Sequence, residues 1–155
     1  MRKSRFVLAA LTAGALAVAA HPLLAATTVS SSFAVQATVN DKCTIKTGPA
    51  TYNFGIYDPT NATDLDSGSG SAVIKCTRGT SASITITTPT AMTNGTDTLT
   101  HSFFQDAGRT TAFGTVTYNS TSNADHTVNF FGRIPALQDV TTGSYAGTSS
   151  FNVAY

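Results

Sequence analysis

Two cysteines, Cys43 and Cys76, are the residues whose chemistry is simplest to assign. A metal site would need further ligands close by in the chain, and none is spaced for one. In an oxidising compartment such a pair forms a disulfide. Closing a loop of this size stabilises a fold by ~3–4 kcal/mol in the chain-entropy model. We therefore predict a Cys43–Cys76 disulfide, provided that the chain is exported.

The histidine, serine and carboxylate side chains form no recognisable catalytic pattern. His101 lies in an alternating segment and His126 beside a turn, so both are expected on the surface or in packing. No Gly-x-Ser-x-Gly motif is present. Asp64–Gly70 resembles a calcium loop, but Ser69 and Lys75 occupy the positions where an EF-hand needs Gly and Glu. We expect no enzymatic activity, no metal and no cofactor.

Six phenylalanines could line a ligand site, but they fall within predicted strands, where core packing is their usual role. They are Phe103, Phe104, Phe113, Phe130, Phe131 and Phe151.

The N-terminus has the layout of a secretory signal peptide. A basic start at 2–5 precedes an apolar run from Phe6 to Ala20, and a small-residue region ends at Ala25 and Ala26. The run is shorter than the ~20 apolar residues that a membrane-spanning helix needs. We predict a signal peptide over 1–26, cleaved after Ala25 or Ala26. The mature chain should have no membrane span and should pass through an oxidising compartment.

The mature composition indicates one all-β domain over residues 27–155. It contains 27 Thr and no Glu, and Thr suits a pleated strand whereas Glu favours helix. Six basic residues stand against eight acidic ones, all Asp, for a formal net charge of −2. Such a chain lacks the basic surface that nucleic acids or anionic lipids require, so neither is expected as a partner.

Alternating and turn-rich segments predict a β-sandwich. Phe33–Val39 alternates with period two, as a half-buried strand does, and Tyr52–Tyr57 reads as a short aromatic strand. Asp58–Ser71 is rich in turn residues and predicts a long exposed loop. Further strands are predicted at Ala72–Cys76, Ser83–Thr87, Asp97–Phe104, Ala112–Tyr118, Thr127–Ile134 and Tyr145–Tyr155. Because the last strand ends the chain, one sheet edge could remain open to another chain.

Several segments together resemble the spore coat protein U family, which includes subunits of archaic, Csu-type chaperone–usher pili. The resemblance runs from about Phe33 to Tyr155. Besides Cys43, it rests on Phe33–Val39, Asn53–Pro59, Ile74–Thr80, Phe104–Thr111, Gly132–Ala136 and Gly143–Tyr145, in that order. The family usually has Tyr where His101 and Phe104 stand, and Asp where Gly147 stands. These are packing or turn positions, so the departures leave the resemblance intact.

The resemblance implies an incomplete immunoglobulin-like β-sandwich completed by donor-strand complementation. A periplasmic chaperone would lend a strand to the open groove, and the N-terminal segment of the next subunit would replace it at an outer-membrane usher. The expected donor segment is about 27–39, with Val29, Phe33, Val35, Ala37 and Val39 as inserted side chains. Part of Phe33–Val39 could instead be the subunit's own first strand. The expected acceptor residues on the last strand are Phe151, Val153 and Tyr155.

The sequence thus predicts a secreted structural subunit of a bacterial surface fibre, a pilus, supporting adhesion and biofilm formation. Its partners would be copies of itself or related pilin subunits, the chaperone and the usher. One alternative is a spore- or cell-coat protein that forms no chaperone–usher fibre. Another is a tip adhesin. Such subunits carry an extra domain, whereas this chain has the length of a single domain.

Overall fold

The computed structural model describes residues 27–87 and 91–155. The predicted signal peptide, 1–26, lies outside these residues. The chain divides into two units, with the boundary between Ala37 and Thr38. In the first unit, the described residues 27–37 belong to no strand and their side chains are exposed. The second unit holds all the strands described below.

The described part of the second unit contains nine β-strands. They are β1 (Cys43–Thr47), β2 (Leu65–Cys76), β3 (Ser81–Thr87), β4 (Ala91–Thr93), β5 (Thr98–Thr100), β6 (Ser102–Phe104), β7 (Val116–Asn119), β8 (Asp125–Ile134) and β9 (Ser150–Ala154). Across residues 27–87 and 91–155 there is no helix of the length and apolarity needed to cross a membrane.

The strands form two main antiparallel sheets and one hairpin. The larger sheet has the order β1-β2-β8-β6, the smaller one β7-β3-β9, and β4 pairs with β5. The long pair β2–β8 runs from Leu65 opposite Ile134 to Lys75 opposite Asp125. Strand β9 pairs with β3 over five residues, from Ser83–Ala154 to Thr87–Ser150. Strands from opposite ends of the chain are therefore neighbours within each sheet.

The hydrophobic core lies between the two main sheets. Ile74 of β2 and Ile84 of β3 are fully buried and belong to one cluster with Val128 of β8. Phe151 and Val153 of β9 pack against this cluster from the smaller sheet. Because the inward residues of each strand alternate with outward ones, the burial pattern follows the period-two spacing of the sequence.

The predicted disulfide is present and joins β1 to β2. Cys43 and Cys76 face each other in the ladder, and their sulfur atoms are bonded. Both side chains are buried in the core cluster. Strand β1 is an edge strand whose one neighbour in the larger sheet is β2, so the bridge holds that edge covalently.

The predicted loop over Asp58–Ser71 is wrong in its second half, because β2 begins at Leu65. Asp66, which suggested a loop, accepts two hydrogen bonds from Arg133 of β8, at 2.6 and 2.9 Å. These bonds lower the pKa of Asp66. The composition of this segment favours turns. Pairing with a cationic side chain on the neighbouring strand nevertheless holds the segment in the ladder.

Two other predicted strands have no ladder in the described residues. Tyr52–Tyr57 belongs to no strand, and Gly55 in its middle has a φ of 83°. Phe33–Val39 was expected to be half-buried, but its side chains are exposed and it forms no strand. Both segments carry alternating apolar residues, so each has the pattern of a strand without the partner that would complete one.

Candidate functional site

A groove lies on the second unit between a segment outside the sheets and a segment that leads into β9. It comprises a cavity of about 510 Å³ and another of about 350 Å³. Both cavities are lined by Tyr52, Phe54 and Met92, so they are adjoining parts of one groove. Residues 49–57 line one wall, and residues 140–151 contribute most of the other. We call this feature the acceptor groove.

Aromatic rings form the floor of the acceptor groove. Tyr52 is central, with its ring centroid 5.0 Å from that of Phe54, 5.1 Å from that of Phe103 and 5.8 Å from that of Phe130. His101 meets Phe54 and Phe103 edge-on at 5.4 and 5.5 Å. Burial lowers the pKa of His101. The floor therefore offers an apolar, uncharged surface to whatever enters the groove.

Two tyrosine hydroxyls tie the first wall to the sheet. The Tyr52 hydroxyl donates to the carbonyl of Gly68 and accepts from the backbone N–H of Gly132, both at 2.6 Å. The Tyr57 hydroxyl donates to the carbonyl of Pro135 at 3.0 Å. Residues 52–57 are thus held by side chains and belong to no ladder, and within them the backbone N–H of Gly55 donates to Asn53 Oδ1 at 2.9 Å.

The second wall is held by polar side chains from the β4–β5 hairpin. Asn94 donates to the Thr141 and Tyr145 hydroxyls at 3.1 and 3.0 Å. Asp97 accepts from the backbone N–H of Thr141 at 2.9 Å. Hydrogen bonding by the side chain and then the backbone of Thr141 lowers the pKa of Asp97. One backbone bridge, Thr93–Ala146, joins the hairpin to this wall. The groove therefore has two supported walls rather than two loose loops.

Strand β9 extends the second wall, and one edge of this strand is unpaired in the described residues. In the part of the chain that the structure describes, β9 is the last strand of its sheet and hydrogen-bonds only to β3. Of the three predicted acceptor residues, Phe151 lines the smaller cavity and is partly buried. Val153 is partly buried against the core, and Tyr155 is 59% exposed. The structure places all three on or beside this open strand.

The predicted donor residues lie in the exposed N-terminal segment. Val29 is 93% exposed, Phe33 84%, Val35 81% and Val39 82%, and Ala37 is also exposed. These five residues share one parity, so an extended backbone directs them to one side. A row of large apolar side chains in water is unfavourable unless another surface covers it.

Sequence reasoning missed the residues that shape the floor of the groove, namely Tyr52, Phe54, Met92 and His101. The sequence predicts a strand for Tyr52 and Phe54, and a surface or packing position for His101. The alternation in Tyr52–Tyr57 was a usable signal, because it implied one buried face. No pattern linked that face to residues 140–151, which lie far along the chain.

Glycine at position 132 allows Tyr52 and Phe54 to lie against β8. A Cβ there would come within 2.6 Å of Phe54 Cε1 and 2.7 Å of Tyr52 Cε1. We expect Gly132→Ala to destabilise the fold by about 1–3 kcal/mol, since both rings would have to move. Urea unfolding measures this change. Gly68→Ala is the matched control, because a Cβ at Gly68 meets nothing within 4 Å. Equal stability of the two variants would contradict this packing.

Within residues 27–87 and 91–155, no cluster of three or more His, Cys, Asp or Glu side chains is arranged to hold a metal ion. The features with functional geometry in these ranges are the groove and the apolar N-terminal segment.

A comparison with solved structures identifies a protein chain with this architecture. One chain of the crystal structure of the CsuC–CsuE chaperone–tip adhesion subunit pre-assembly complex, from archaic chaperone-usher Csu pili of Acinetobacter baumannii, has a similar fold. The TM-score is 0.53 at 20% identity, covering 76% of this chain and 40% of that chain. This chain thus spans less than half the length of that one. No curated protein matches the sequence.

The model of the Spore Coat Protein U domain matches residues 29–151. The fold is all-β and immunoglobulin-like, with the disulfide and the two antiparallel sheets described above. Because the family model covers most of the sequence, the chain belongs to the spore coat protein U domain family.

Proposed function

We propose that this protein is a structural subunit of a bacterial surface fibre, assembled by chaperone–usher donor-strand exchange and supporting adhesion and biofilm formation. The observation that carries the proposal is a complementary pair of features on one chain. An exposed apolar segment stands at residues 29–39, and an apolar groove lies between residues 49–57 and 140–151. The apolar segment of one copy would fit into the groove of another copy.

The size of the apolar row is sufficient to hold two copies together. Burying an aliphatic or aromatic side chain yields roughly 1.5–3 kcal/mol. Four of them, Val29, Phe33, Val35 and Val39, would therefore contribute ~6–12 kcal/mol before the cost of ordering the segment.

Backbone hydrogen bonds would add to this side-chain contribution. An extended segment lying in the groove would run beside the unpaired edge of β9 and beside residues 49–57. The unpaired edge of β9 presents backbone N–H and C=O groups of the kind that strand addition uses. The inserted segment would supply the strand that the immunoglobulin-like sandwich lacks at this edge.

The same groove explains the other proposed partners. An open apolar groove is an aggregation hazard until a strand fills it. A periplasmic chaperone would cover it in transit, and the solved structure that contains a chain of similar fold is itself a complex of a chaperone with a tip adhesion subunit. An outer-membrane usher would then exchange the chaperone for the next subunit, either a copy of this chain or a related pilin. The protein would pass through the periplasm and end on the cell surface.

Deleting Thr27–Val35 from the mature chain tests this proposal. We expect the truncated chain to form no polymer alone, because it has no strand to donate. Mixed with full-length chains, it should shorten their polymers, because its groove still accepts a strand. Electron microscopy and native gel electrophoresis measure polymer length.

Two results would contradict donor-strand exchange. One is polymers of unchanged length from the truncated chain. The other is a full-length mature chain that remains a stable monomer without a chaperone, which would favour a coat protein that forms no such fibre.

A further inference from the structure

Strand β2 carries a β-bulge beside the floor of the acceptor groove. The register of the β2–β8 ladder shifts between Asp66 and Ser69. Ser67 and Gly68 of β2 therefore share Gly132 of β8 as their opposite residue. A bulge disrupts the ladder hydrogen bonds around it. The backbone groups at this point need other partners.

Two side chains, Tyr52 and Arg109, supply those partners. The Tyr52 hydroxyl bonds the Gly68 carbonyl and the Gly132 N–H, as described above. It also accepts from Ser67 Oγ at 3.1 Å. Arg109 donates from Nε to the Gly132 carbonyl at 2.9 Å and from Nη2 to the Ser67 carbonyl. Both side chains therefore bond the two strands at the same bulge.

Arg109 reaches the bulge from the face of the sheet opposite the groove. Its guanidinium carbon lies 6.0 Å from the centroid of the Phe131 ring. Tyr52 instead stacks on Phe130, the preceding residue of β8. Successive side chains of a strand point to opposite faces. Arg109 thus holds from the outer face the bulge that Tyr52 holds from within the groove.

The loop between β6 and β7 holds Arg109 in this position in spite of an unfavourable backbone conformation. Arg109 has a φ of 54°, in the left-handed region that residues other than glycine rarely adopt. The Asp106 carboxylate fixes the turn by accepting from the backbone N–H groups of Thr110 and Thr111, at 3.0 and 2.7 Å. The Arg109 side chain is only 12% exposed. Such strain, kept beside a binding surface, indicates that the side chain itself is needed there.

We infer that Arg109 is a positioning residue for the acceptor groove, which keeps Tyr52 fixed at the centre of the groove floor and so strengthens binding of the inserted strand. The inference rests on the proposed function. Without Arg109, the Ser67 and Gly132 carbonyls would lose this donor, and a bulge free to shift would no longer hold the Tyr52 hydroxyl. A ring that moves must be ordered again when a strand binds, which weakens binding.

Hydrogen exchange of the Gly132 amide in the full mature chain tests the effect on the bulge. NMR compares its rate with that of Ile84, a fully buried residue of β3 that reports global unfolding. We expect Arg109→Met to speed Gly132 exchange about tenfold relative to Ile84, the loss of one ordinary hydrogen bond. Arg133→Met is the matched control, because Arg133 bonds the Asp66 carboxylate instead. It should change this ratio by less than about twofold.

Peptide exchange tests the effect on the groove. A fluorescent synthetic peptide of residues 27–40 is bound to the full mature chain, and its dissociation is followed after unlabelled peptide is added. We expect Arg109→Met to speed dissociation about three- to tenfold, the cost of ordering one side chain again. Arg109→Lys should have an intermediate effect, because an ammonium lacks the planar fork that reaches two carbonyls. On a Tyr52→Phe chain, Arg109→Met should add little, since Arg109 acts through the missing hydroxyl.

The outcomes separate this inference from the proposed function. An unchanged exchange ratio, equal peptide dissociation from Arg109→Met and Arg133→Met, or additive effects with Tyr52→Phe would overturn the positioning role and leave strand insertion intact. If both Arg109 variants fail to fold while Arg133→Met folds, the whole fold requires Arg109, which also overturns the inference. A wild-type peptide that does not bind would overturn the proposed function as well.

Discussion

Replacing both Phe33 and Val35 with serine in the full mature chain is expected to abolish linear polymerisation. Both side chains are more than four-fifths exposed in the donor segment, so the substitutions should not disturb the subunit's own core. Each apolar side chain that no longer enters a groove removes roughly 1.5–3 kcal/mol from the subunit contact. The pair should weaken that contact by about 3–6 kcal/mol, or a factor of about 10² to 10⁴. Size-exclusion chromatography of purified chains measures the polymer fraction.

The neighbouring residues provide a matched control for this result. Ala34→Ser with Gln36→Ser makes the same number of changes in the same segment, but on the opposite side of an extended strand. That variant should polymerise as the wild type does. If both double variants lose polymerisation equally, the contact between subunits does not depend on one apolar side of the segment. The proposal that this segment inserts as a strand with its apolar side in the groove would then be wrong.

Removing the disulfide by Cys43→Ala with Cys76→Ala is expected to lower the free energy of unfolding by about 3–4 kcal/mol. The two cysteines are separated by 33 positions, and opening a loop of that length releases chain entropy in the unfolded state. The bridge also joins the edge strand β1 to β2 within the core cluster. Alanine avoids burying a hydroxyl at these positions. Guanidinium unfolding, followed by circular dichroism, measures the change.

Reduction of the wild-type chain distinguishes the stability that the disulfide bond contributes from the stability that packing of the two cysteine side chains contributes. Dithiothreitol opens the loop while keeping both side chains, so it should reproduce most of the loss. Reduction should have no effect on the alanine variant. An unfolding midpoint unchanged by reduction would show that the bridge does not stabilise this fold.

Alternating segments of the sequence predicted most of the sheet positions correctly. Ser83–Thr87 and Thr127–Ile134 lie within β3 and β8, because their inward residues are aliphatic or aromatic and their turns are marked by Gly, Pro and Asn. The disulfide was also predictable, since an exported chain with two cysteines has one possible internal pairing.

The first half of β2 could not be predicted because its composition contradicts its structure. Gly70 is needed where it stands: a Cβ there would overlap the ring of Phe130 and come within 3.0 Å of Tyr52. Asp66 is held by Arg133 from β8. Local propensity favours a turn for such residues, and tertiary contacts from strands far along the chain override it.

The sequence by itself determined an all-β chain with one disulfide and an apolar N-terminal row, because these depend on composition and on spacing between near neighbours. Tertiary structure alone decided the acceptor groove. Its walls come from residues 49–57 and 140–151, and its floor brings Tyr52, Phe103 and Phe130 together. Period-two patterns specify which face of a segment is buried, but not which distant segment lies opposite it. That choice follows from how the two sheets pack around one core.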